Sequence, residues 1–275
     1  MGDIKKYKRI LITGGTSGLG RSLVNEFLAN GFEVVALGRQ NIPVQNKTGT
    51  YEYIQCDFSK LDTVKKVGNK LSEDGKEYSY IINNAGILSP PGFHQSENGF
   101  ELSYQVNFLS HVLLTQLLLP ENISKPQCIV NISSPIYVKG RIKPDQLIHE
   151  GNYHVVQAYA QSKLFMALFS EKLYLDGFSG FSFNPGTFSS GIYRMQQKWF
   201  HHMYKIAAPF MVSSDRVAKG LYRIIHAKGW SEGKMVNRKG KISALKTYDA
   251  EFKKIFWNRV DTQINNFLSG SKPVI

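Results

Sequence analysis

The sequence predicts an α/β fold, in which a doubly wound parallel sheet carries helices on both faces. Short apolar runs alternate with helical patterns, which is the order expected when a helix joins each parallel strand to the next. Six of the runs are almost continuously apolar, as strands are when both faces of a sheet are covered. They are RILIT, EVVALG, YEYIQC, YSYIINNAG, QCIVNISS and GFSFNPG.

The helical patterns between these runs complete one domain that spans residues 1–275. The first, LGRSLVNEFLANG, has apolar residues at Leu23, Phe27 and Leu28 and a stop signal at Gly31. Further helices are predicted in LDTVKKVGNKLSEDG, GFELSYQVNFLSHVLLTQLLLP and AYAQSKLFMALFSEKLYLDG, and an amphipathic helix closes the chain. There is no internal repeat and no linker rich in Pro or Gly that would divide the domain.

Composition excludes several classes of protein. Hydrophobic residues make up 42% of the chain, enough for a large core. No run reaches the roughly 18 apolar residues that a membrane-spanning helix needs. The basic N-terminus resembles a signal peptide, but RILIT leads directly into a glycine-rich loop and is predicted as a strand. Cys56 and Cys128 lie in or beside apolar runs, which predicts buried, reduced thiols, no metal site and a cytoplasmic protein.

The net charge of +13 is concentrated towards the C-terminus. Fifteen Lys or Arg and only five Asp or Glu lie between Arg194 and Asp261. Such a surface either keeps the protein soluble or attracts an anionic membrane or an acidic substrate, so peripheral membrane contact is one prediction. No nucleic-acid-binding motif accompanies the charge, which argues against nucleic acid as a partner.

A glycine pattern between the first strand and the first helix predicts a dinucleotide site. In RILITGGTSGLGRSLVNEFL, Gly14 permits a tight turn, Gly18 lets a pyrophosphate approach the backbone, and Gly20 lets the helix pack closely. The free N–H groups at the start of the helix attract phosphate. The alternative is a glycine-rich turn with a purely structural role.

The end of the second strand favours NADP over NAD. An acidic residue at this position binds the ribose 2′-hydroxyl of NAD in dinucleotide folds. Here the position is Gly38, followed by Arg39, whose guanidinium group is suited to a 2′-phosphate. The alternative is that Arg39 points into solvent.

Six motifs together resemble the classical short-chain dehydrogenases/reductases. TGGTSGLG, NNAG, YQVNF, IVNISS, YAQSK and NPG occur in the order and spacing of that family, and the resemblance covers nearly the whole chain. YQVNFLSHVLLTQLLLP, the long gap between the serine and the tyrosine, and FWNRVDTQI are similar to the branch that resembles retinol dehydrogenases and the WW-domain oxidoreductase. The resemblance implies a Rossmann-type domain with nucleotide binding mainly in residues 1–130. Residues 131–275 would carry catalysis and a small helical substrate lid.

The same resemblance assigns four catalytic residues. Tyr159 is implied to be the general acid/base, Lys163 to lower its pKa and bind the nicotinamide ribose, and Ser134 to hydrogen-bond the substrate oxygen. Asn107 is implied to hold a water in a proton relay. These types suit the chemistry, because hydride addition to a carbonyl builds negative charge that a donor must stabilise and then protonate. A tyrosine with a pKa near 10 needs a neighbouring cation to act as a base.

The resemblance and the loop positions together give the expected cofactor contacts. Besides the catalytic pair, they fall in the glycine loop, at the ends of the next three strands and in the loop after GFSFN. The residues are Gly14, Thr16, Ser17, Gly18, Leu19, Gly20, Arg39, Asp57, Phe58, Asn84, Ala85, Gly86, Tyr159, Lys163, Pro185, Gly186 and Ser190. Asp57 and Phe58 are predicted to supply a polar contact and an apolar wall for adenine. Ser190 stands where the family has a threonine.

The function implied is an NADP-dependent oxidoreductase that interconverts an alcohol and a ketone or aldehyde, acting as a carbonyl reductase. The aromatic segment Tyr193–Phe210 either forms a lid over a bulky apolar substrate or belongs to the ordinary core. A reductase of carbon–carbon double bonds and a non-catalytic NADP-binding regulatory protein are alternatives, although the complete tetrad argues against the latter. Because the family's helices with the Asn107 and Tyr159 positions often pack across a dimer interface, a homodimer or homotetramer is expected.

Overall fold

One eight-stranded sheet organises the molecule. The computed structural model describes residues 8–44, 48–119, 126–142, 149–188, 211–227, 232–245 and 248–271. Its strands are β1 Arg9–Thr13, β2 Glu33–Gly38, β3 Tyr51–Gln55, β4 Tyr80–Asn83, β5 Cys128–Ile132, β6 Gly180–Asn184, β7 Met235–Asn237 and β8 Ile242–Ser243. The order is β3-β2-β1-β4-β5-β6-β7-β8, and every neighbouring pair is parallel except β7 and β8. The six predicted strands and the parallel sheet are confirmed.

Helices cover both faces of this sheet, which confirms the doubly wound fold. They are α1 Gly18–Ala29, α2 Leu61–Glu73, α3 Leu102–Tyr104, α4 Ser110–Leu118, α5 Val155–Leu175, α6 Ser214–His226 and α7 Ala250–Leu268. A π-helical turn, Gln105–Leu109, joins α3 to α4. Among the described residues, no helix is long and apolar enough to cross a membrane. The predicted aromatic lid falls in residues 189–210, outside the described ranges.

Alternating side chains of the strands divide the core into two layers. In β1, Ile10 and Ile12 contact the layer that includes α1 and α6, whereas Leu11 contacts the layer that includes α2, α4, α5 and α7. This alternation follows from the two-residue period of a strand. All three side chains are fully buried, as the continuous apolar pattern of RILIT predicts.

The basic C-terminal quarter does not form one surface in the described part of the chain. Helix α6 packs on the α1 face and α7 on the opposite face, so the two helices lie on opposite sides of the sheet. Lys253 of α7 is moreover paired with Glu171 of α5 at 2.9 Å. Peripheral membrane contact therefore stays a prediction, and the positions of these two helices give it no support.

Candidate active site

The glycine-rich loop after β1 is shaped by backbone that a side chain would obstruct. Gly14 and Gly18 have φ of 63° and 50°, in the left-handed region that favours glycine. A Cβ at Gly20 would lie 2.1 Å from the Gly14 carbonyl oxygen, so only glycine lets α1 approach the loop this closely. Ser17, extended at φ −155°, precedes the first turn of α1 without capping it through its side chain. The loop thus leaves the start of α1 open to a phosphate group, which fits a dinucleotide.

A hydroxyl at the end of β1 ties the glycine loop to the loop after β4. Thr13 Oγ1 accepts hydrogen bonds from the backbone N–H groups of Asn84 (2.7 Å) and Ala85 (2.9 Å). The Asn84 side chain donates in turn to the Thr13 carbonyl oxygen at 2.8 Å. Two segments that were predicted to bind cofactor are therefore held side by side at the carboxyl edge of the sheet, where such folds bind ligands.

The end of β2 has no room for an acidic side chain in the observed arrangement. A Cβ at Gly38 would lie 2.5 Å from Thr16 Oγ1, because the threonine packs directly over this position. Arg39, the next residue, is exposed on the same edge. The geometry fits the predicted preference for a 2′-phosphate.

One predicted cofactor contact needs correction. The Phe58 ring is 5% exposed and packs 4.9 Å from the imidazole of His111, so it belongs to the core and does not provide an apolar wall for adenine. Any contact of Phe58 with cofactor must come from its backbone. The side chain of Asp57 is used by the protein itself. Its Oδ1 accepts hydrogen bonds from the Ser59 N–H at 3.0 Å and the Ser59 hydroxyl at 2.8 Å.

Asn107 lies in the π-helical turn, and its amide is used by the protein itself. Oδ1 accepts from the Ile87 N–H at 2.8 Å, while Nδ2 donates to the Ile87 carbonyl and to Ser162 Oγ, both at 2.9 Å. Ser162 Oγ donates in turn to the Tyr159 carbonyl oxygen at 2.8 Å. The side chain therefore positions the loop after β4 against α5. Because both amide atoms have protein partners, a water held by Asn107 would rely on its main-chain carbonyl or a remaining Oδ1 lone pair.

Tyr159 and Lys163 share one face of α5, as their four-residue spacing predicts. Lys163 is 3% exposed, and its Nζ donates to the Ile132 carbonyl oxygen at 3.2 Å and lies 5.8 Å from the centre of the Tyr159 ring. Burial lowers the pKa of Lys163 to about 8, which still leaves most of it charged at neutral pH. The positive charge that a reactive tyrosine requires is therefore in place.

The two serines after β5 have different environments. Ser133 is buried, and its hydroxyl donates to the Lys163 carbonyl oxygen at 2.8 Å, so it fixes α5 against the strand. Ser134 is half-buried and does not cap the 3₁₀ turn Pro135–Lys139 that follows it. That turn ends against α5, because a Cβ at Gly140 would lie 2.8 Å from the Ala160 carbonyl oxygen. Ser134 is thereby placed at the edge that carries Tyr159.

The loop after β6 completes the edge. Gly186 has φ of 72°, and its N–H donates to Asn184 Oδ1 at 2.9 Å, so the strand's last side chain holds the Pro185–Gly186 turn. Ser190, predicted to contact the cofactor, lies outside the described residues. On the other side of the site, a Cβ at Gly86 would lie 3.2 Å from Asn107 Oδ1 and 3.3 Å from Lys163 Nζ.

Comparison with known families agrees with this arrangement. Residues 8–179 match the model of the family described as short chain dehydrogenase. The chain belongs to the short chain dehydrogenase family. The match covers the described glycine loop, Asn107, Ser134, Tyr159 and Lys163.

Individual relatives of this short chain dehydrogenase are moderately similar. Human retinol dehydrogenase 13 is 30% identical over 177 residues, covering 60% of this chain and 53% of that protein. Human retinol dehydrogenase 11 is 30% identical over 220 residues, covering 74% of this chain and 69% of that protein. The chain thus spans about half the length of the first of these relatives. A solved short-chain dehydrogenase from Sphingobium yanoikuyae, in complex with NADPH, has a TM-score of 0.65 at 20% identity and 95% coverage of both chains, a likeness of fold.

His111 is a site residue that motif reasoning missed. It is fully buried, and burial lowers its pKa to about 3, so the ring is neutral. Nε2 lies 2.9 Å from the Ala85 carbonyl oxygen, which only accepts, so Nε2 carries the hydrogen and holds the loop after β4. The only sequence signal is its position four residues after Asn107, which places both near the same loop.

Proposed function

We propose that this short chain dehydrogenase is an NADP-dependent oxidoreductase that interconverts an alcohol and a carbonyl compound. The observation that carries the proposal is the buried ammonium of Lys163, 5.8 Å from the Tyr159 ring and one helical turn from it, at the ligand edge of the sheet. A binding protein has no need for a desolvated cation beside a tyrosine, since burial of a charge costs free energy. The glycine loop fits a dinucleotide, which supplies the hydride when bound.

The residues of the chain account for the proton side of the reaction. Tyr159 donates its hydroxyl proton to the carbonyl oxygen as negative charge develops there, and Lys163 stabilises the tyrosinate that remains. Ser134 presents a hydroxyl to the same oxygen. Asn107, Ser133 and Ser162 hold the loop after β4 and α5 in place through the hydrogen bonds described above.

Tyr159→Phe tests this assignment. Loss of the hydroxyl removes the proton donor, so turnover is expected to fall about 10²- to 10⁴-fold, the usual contribution of general acid–base catalysis. NADPH affinity, measured by fluorescence titration, is expected to stay within about twofold. Tyr153→Phe, at a half-buried position six residues earlier, is the matched control. Full activity in Tyr159→Phe would show that Tyr159 is not the proton donor.

The substrate proposed is a bulky apolar carbonyl compound, and the reductive direction follows from the proposed use of NADPH. Support comes from the names of the retinol dehydrogenases, whose substrate is a large apolar alcohol. A reductase of carbon–carbon double bonds is the second candidate, because the same cofactor and fold serve both reactions. NADPH oxidation measured against matched ketones, aldehydes and enones distinguishes the two.

A further inference from the structure

Arg238 is a basic side chain at the ligand edge that the reaction described above does not use. It is the first residue after β7, and its N–H donates to the Asn184 carbonyl oxygen at 3.1 Å, which extends the β6–β7 pairing by one step. Strand β6 ends at the same level, in the Pro185–Gly186 turn. Arg238 therefore stands beside the loop of Pro185 and Gly186, which is expected to contact the cofactor.

The side chain crosses this loop. A Cβ at Gly186 would lie 3.6 Å from Arg238 Nε and 3.7 Å from Arg238 Cδ, so the guanidinium end of the side chain lies over the glycine. Gly186 leaves room for it, having no side chain of its own.

The backbone that follows Arg238 forms a hydrogen-bonded turn. Asn237 Oδ1 accepts from the N–H groups of Lys239 (2.9 Å) and Lys241 (3.0 Å), and the Gly240 N–H donates to the Asn237 carbonyl at 2.8 Å. Gly240, with φ of 77°, closes the turn into β8. These hydrogen bonds do not use the Arg238 side chain, so its guanidinium stays available to a ligand.

Arg238 is a half-buried residue, and within the described ranges its guanidinium forms no ion pair or side-chain hydrogen bond. Arginine bears five donors in a planar fork that matches a carboxylate or phosphate. A partly desolvated cation without an anion is unfavourable, so the position is suited to a ligand that brings the negative charge.

The strand order shows which part of the ligand-binding edge Arg238 occupies. The glycine loop follows β1, and β4, β5 and β6 separate β1 from β7. At about 4.8 Å per strand, Arg238 stands roughly 19 Å from the phosphate-binding loop but only about 10 Å from β5, the strand that precedes Ser134. It thus lies beyond the catalytic residues, away from the phosphate end of the cofactor.

We propose that Arg238 binds an acidic group of the substrate, a carboxylate or phosphate carried some distance from the reacting carbonyl. This inference rests on the proposed function and narrows its substrate class to apolar carbonyl compounds with an anionic end. Arg238 acts on specificity and holds the anion while Tyr159 and Ser134 meet the carbonyl oxygen.

The test measures binding and does not require turnover. The probes are 4-oxo-4-phenylbutanoate, 5-oxo-5-phenylpentanoate and their methyl esters, titrated by calorimetry into protein saturated with NADP⁺. Wild type is expected to bind at least one acid more tightly than its ester. Arg238→Met is expected to weaken that acid about 10- to 100-fold, the loss of a charge-assisted hydrogen bond, and to leave the ester unchanged. Arg238→Lys keeps the charge but loses the planar guanidinium. Its affinity for the acid is therefore expected to lie between those of wild type and Arg238→Met.

Lys241→Met is the matched control, because it removes an exposed charge from the same turn while the backbone bonds to Asn237 remain. Equal acid and ester affinities in wild type, or equal effects of Arg238→Met and Lys241→Met, would overturn the proposal. So would a loss of NADPH affinity in Arg238→Met without loss of acid preference, which would assign the arginine to the cofactor. Thermal melting confirms that each variant is folded, and the Tyr159→Phe result decides the proposed function separately.

Discussion

At the scale of single residues, the close contact between Gly38 and Thr16 disfavours any side chain at the end of β2, an acidic one included. The sequence shows only that glycine and arginine occupy positions 38 and 39, whereas the structure adds that a Cβ would lie 2.5 Å from Thr16 Oγ1. An aspartate at position 38 would have to displace the threonine that packs there. The predicted preference for NADP therefore has a steric component besides the charge of Arg39.

Arg39 is the residue predicted to distinguish NADPH from NADH by charge. Arg39→Leu removes the guanidinium that would pair with the 2′-phosphate, and the Kd of NADPH is expected to rise about tenfold or more. The Kd of NADH, which lacks this phosphate, is expected to change less than twofold. Fluorescence titration with both cofactors provides the measurement, and Gln40→Leu at the neighbouring exposed position is the control. Equal weakening of NADPH and NADH would show that Arg39 does not read the 2′-phosphate.

At the scale of elements, α7 packs on the two helical segments that carry the proposed catalytic side chains. Phe256 stacks on Phe165 of α5, with ring centres 4.9 Å apart, and lies 6.0 Å from Phe108 of the π-helical turn. Those two rings are close in sequence to Lys163 and Asn107, respectively. The buried Tyr104 hydroxyl also donates to Gln263 Oε1 at 2.7 Å. Helix α7 thus holds the active-site helices from behind.

Phe256→Ala tests this support. Removing a 2%-exposed aromatic ring from the core is expected to lower the free energy of unfolding by about 3–5 kcal/mol. Ile255→Ala, one residue away and 43% exposed, is expected to change it by less than about 0.5 kcal/mol. Urea unfolding monitored by circular dichroism gives both values. Similar losses in the two variants would mean that α7 is not packed on α5 and the π-helical turn as described.

At the scale of the whole molecule, the sequence predicts what depends on local pattern. Continuous apolar runs predict the strands because both sheet faces are covered, and glycine spacing predicts the loop because backbone approach excludes side chains. The orientation of the Phe58 ring has no local signal, since an apolar residue in a loop can face either ligand or core. The π-helical turn at Asn107 and the packing position of α7 depend on contacts between segments far apart in sequence. The location of Arg238 beside the loop after β6 likewise depends on the pairing of β7 with β6.

The position of α7 also changes the expected assembly. A homodimer or homotetramer was predicted because helices equivalent to α4 and α5 often pack across an interface in this family. In this chain α7 covers that face itself, with Trp257 6.1 Å from Phe169 and the Gln116 amide 3.3 Å from Asp261 Oδ1. A second copy could reach the face only by displacing α7 and exposing its buried rings.

We therefore expect no dimer through α4 and α5. Light scattering should give a mass near the 31.1 kDa of one chain at micromolar concentration. Gln116→Cys places a thiol on the exposed side of α4, and because Cys56 and Cys128 are buried, it is the reactive position among the described residues. Oxidation is expected to yield no cross-linked dimer, whereas efficient cross-linking together with twice the mass would show that α7 moves aside and two copies pair through this face.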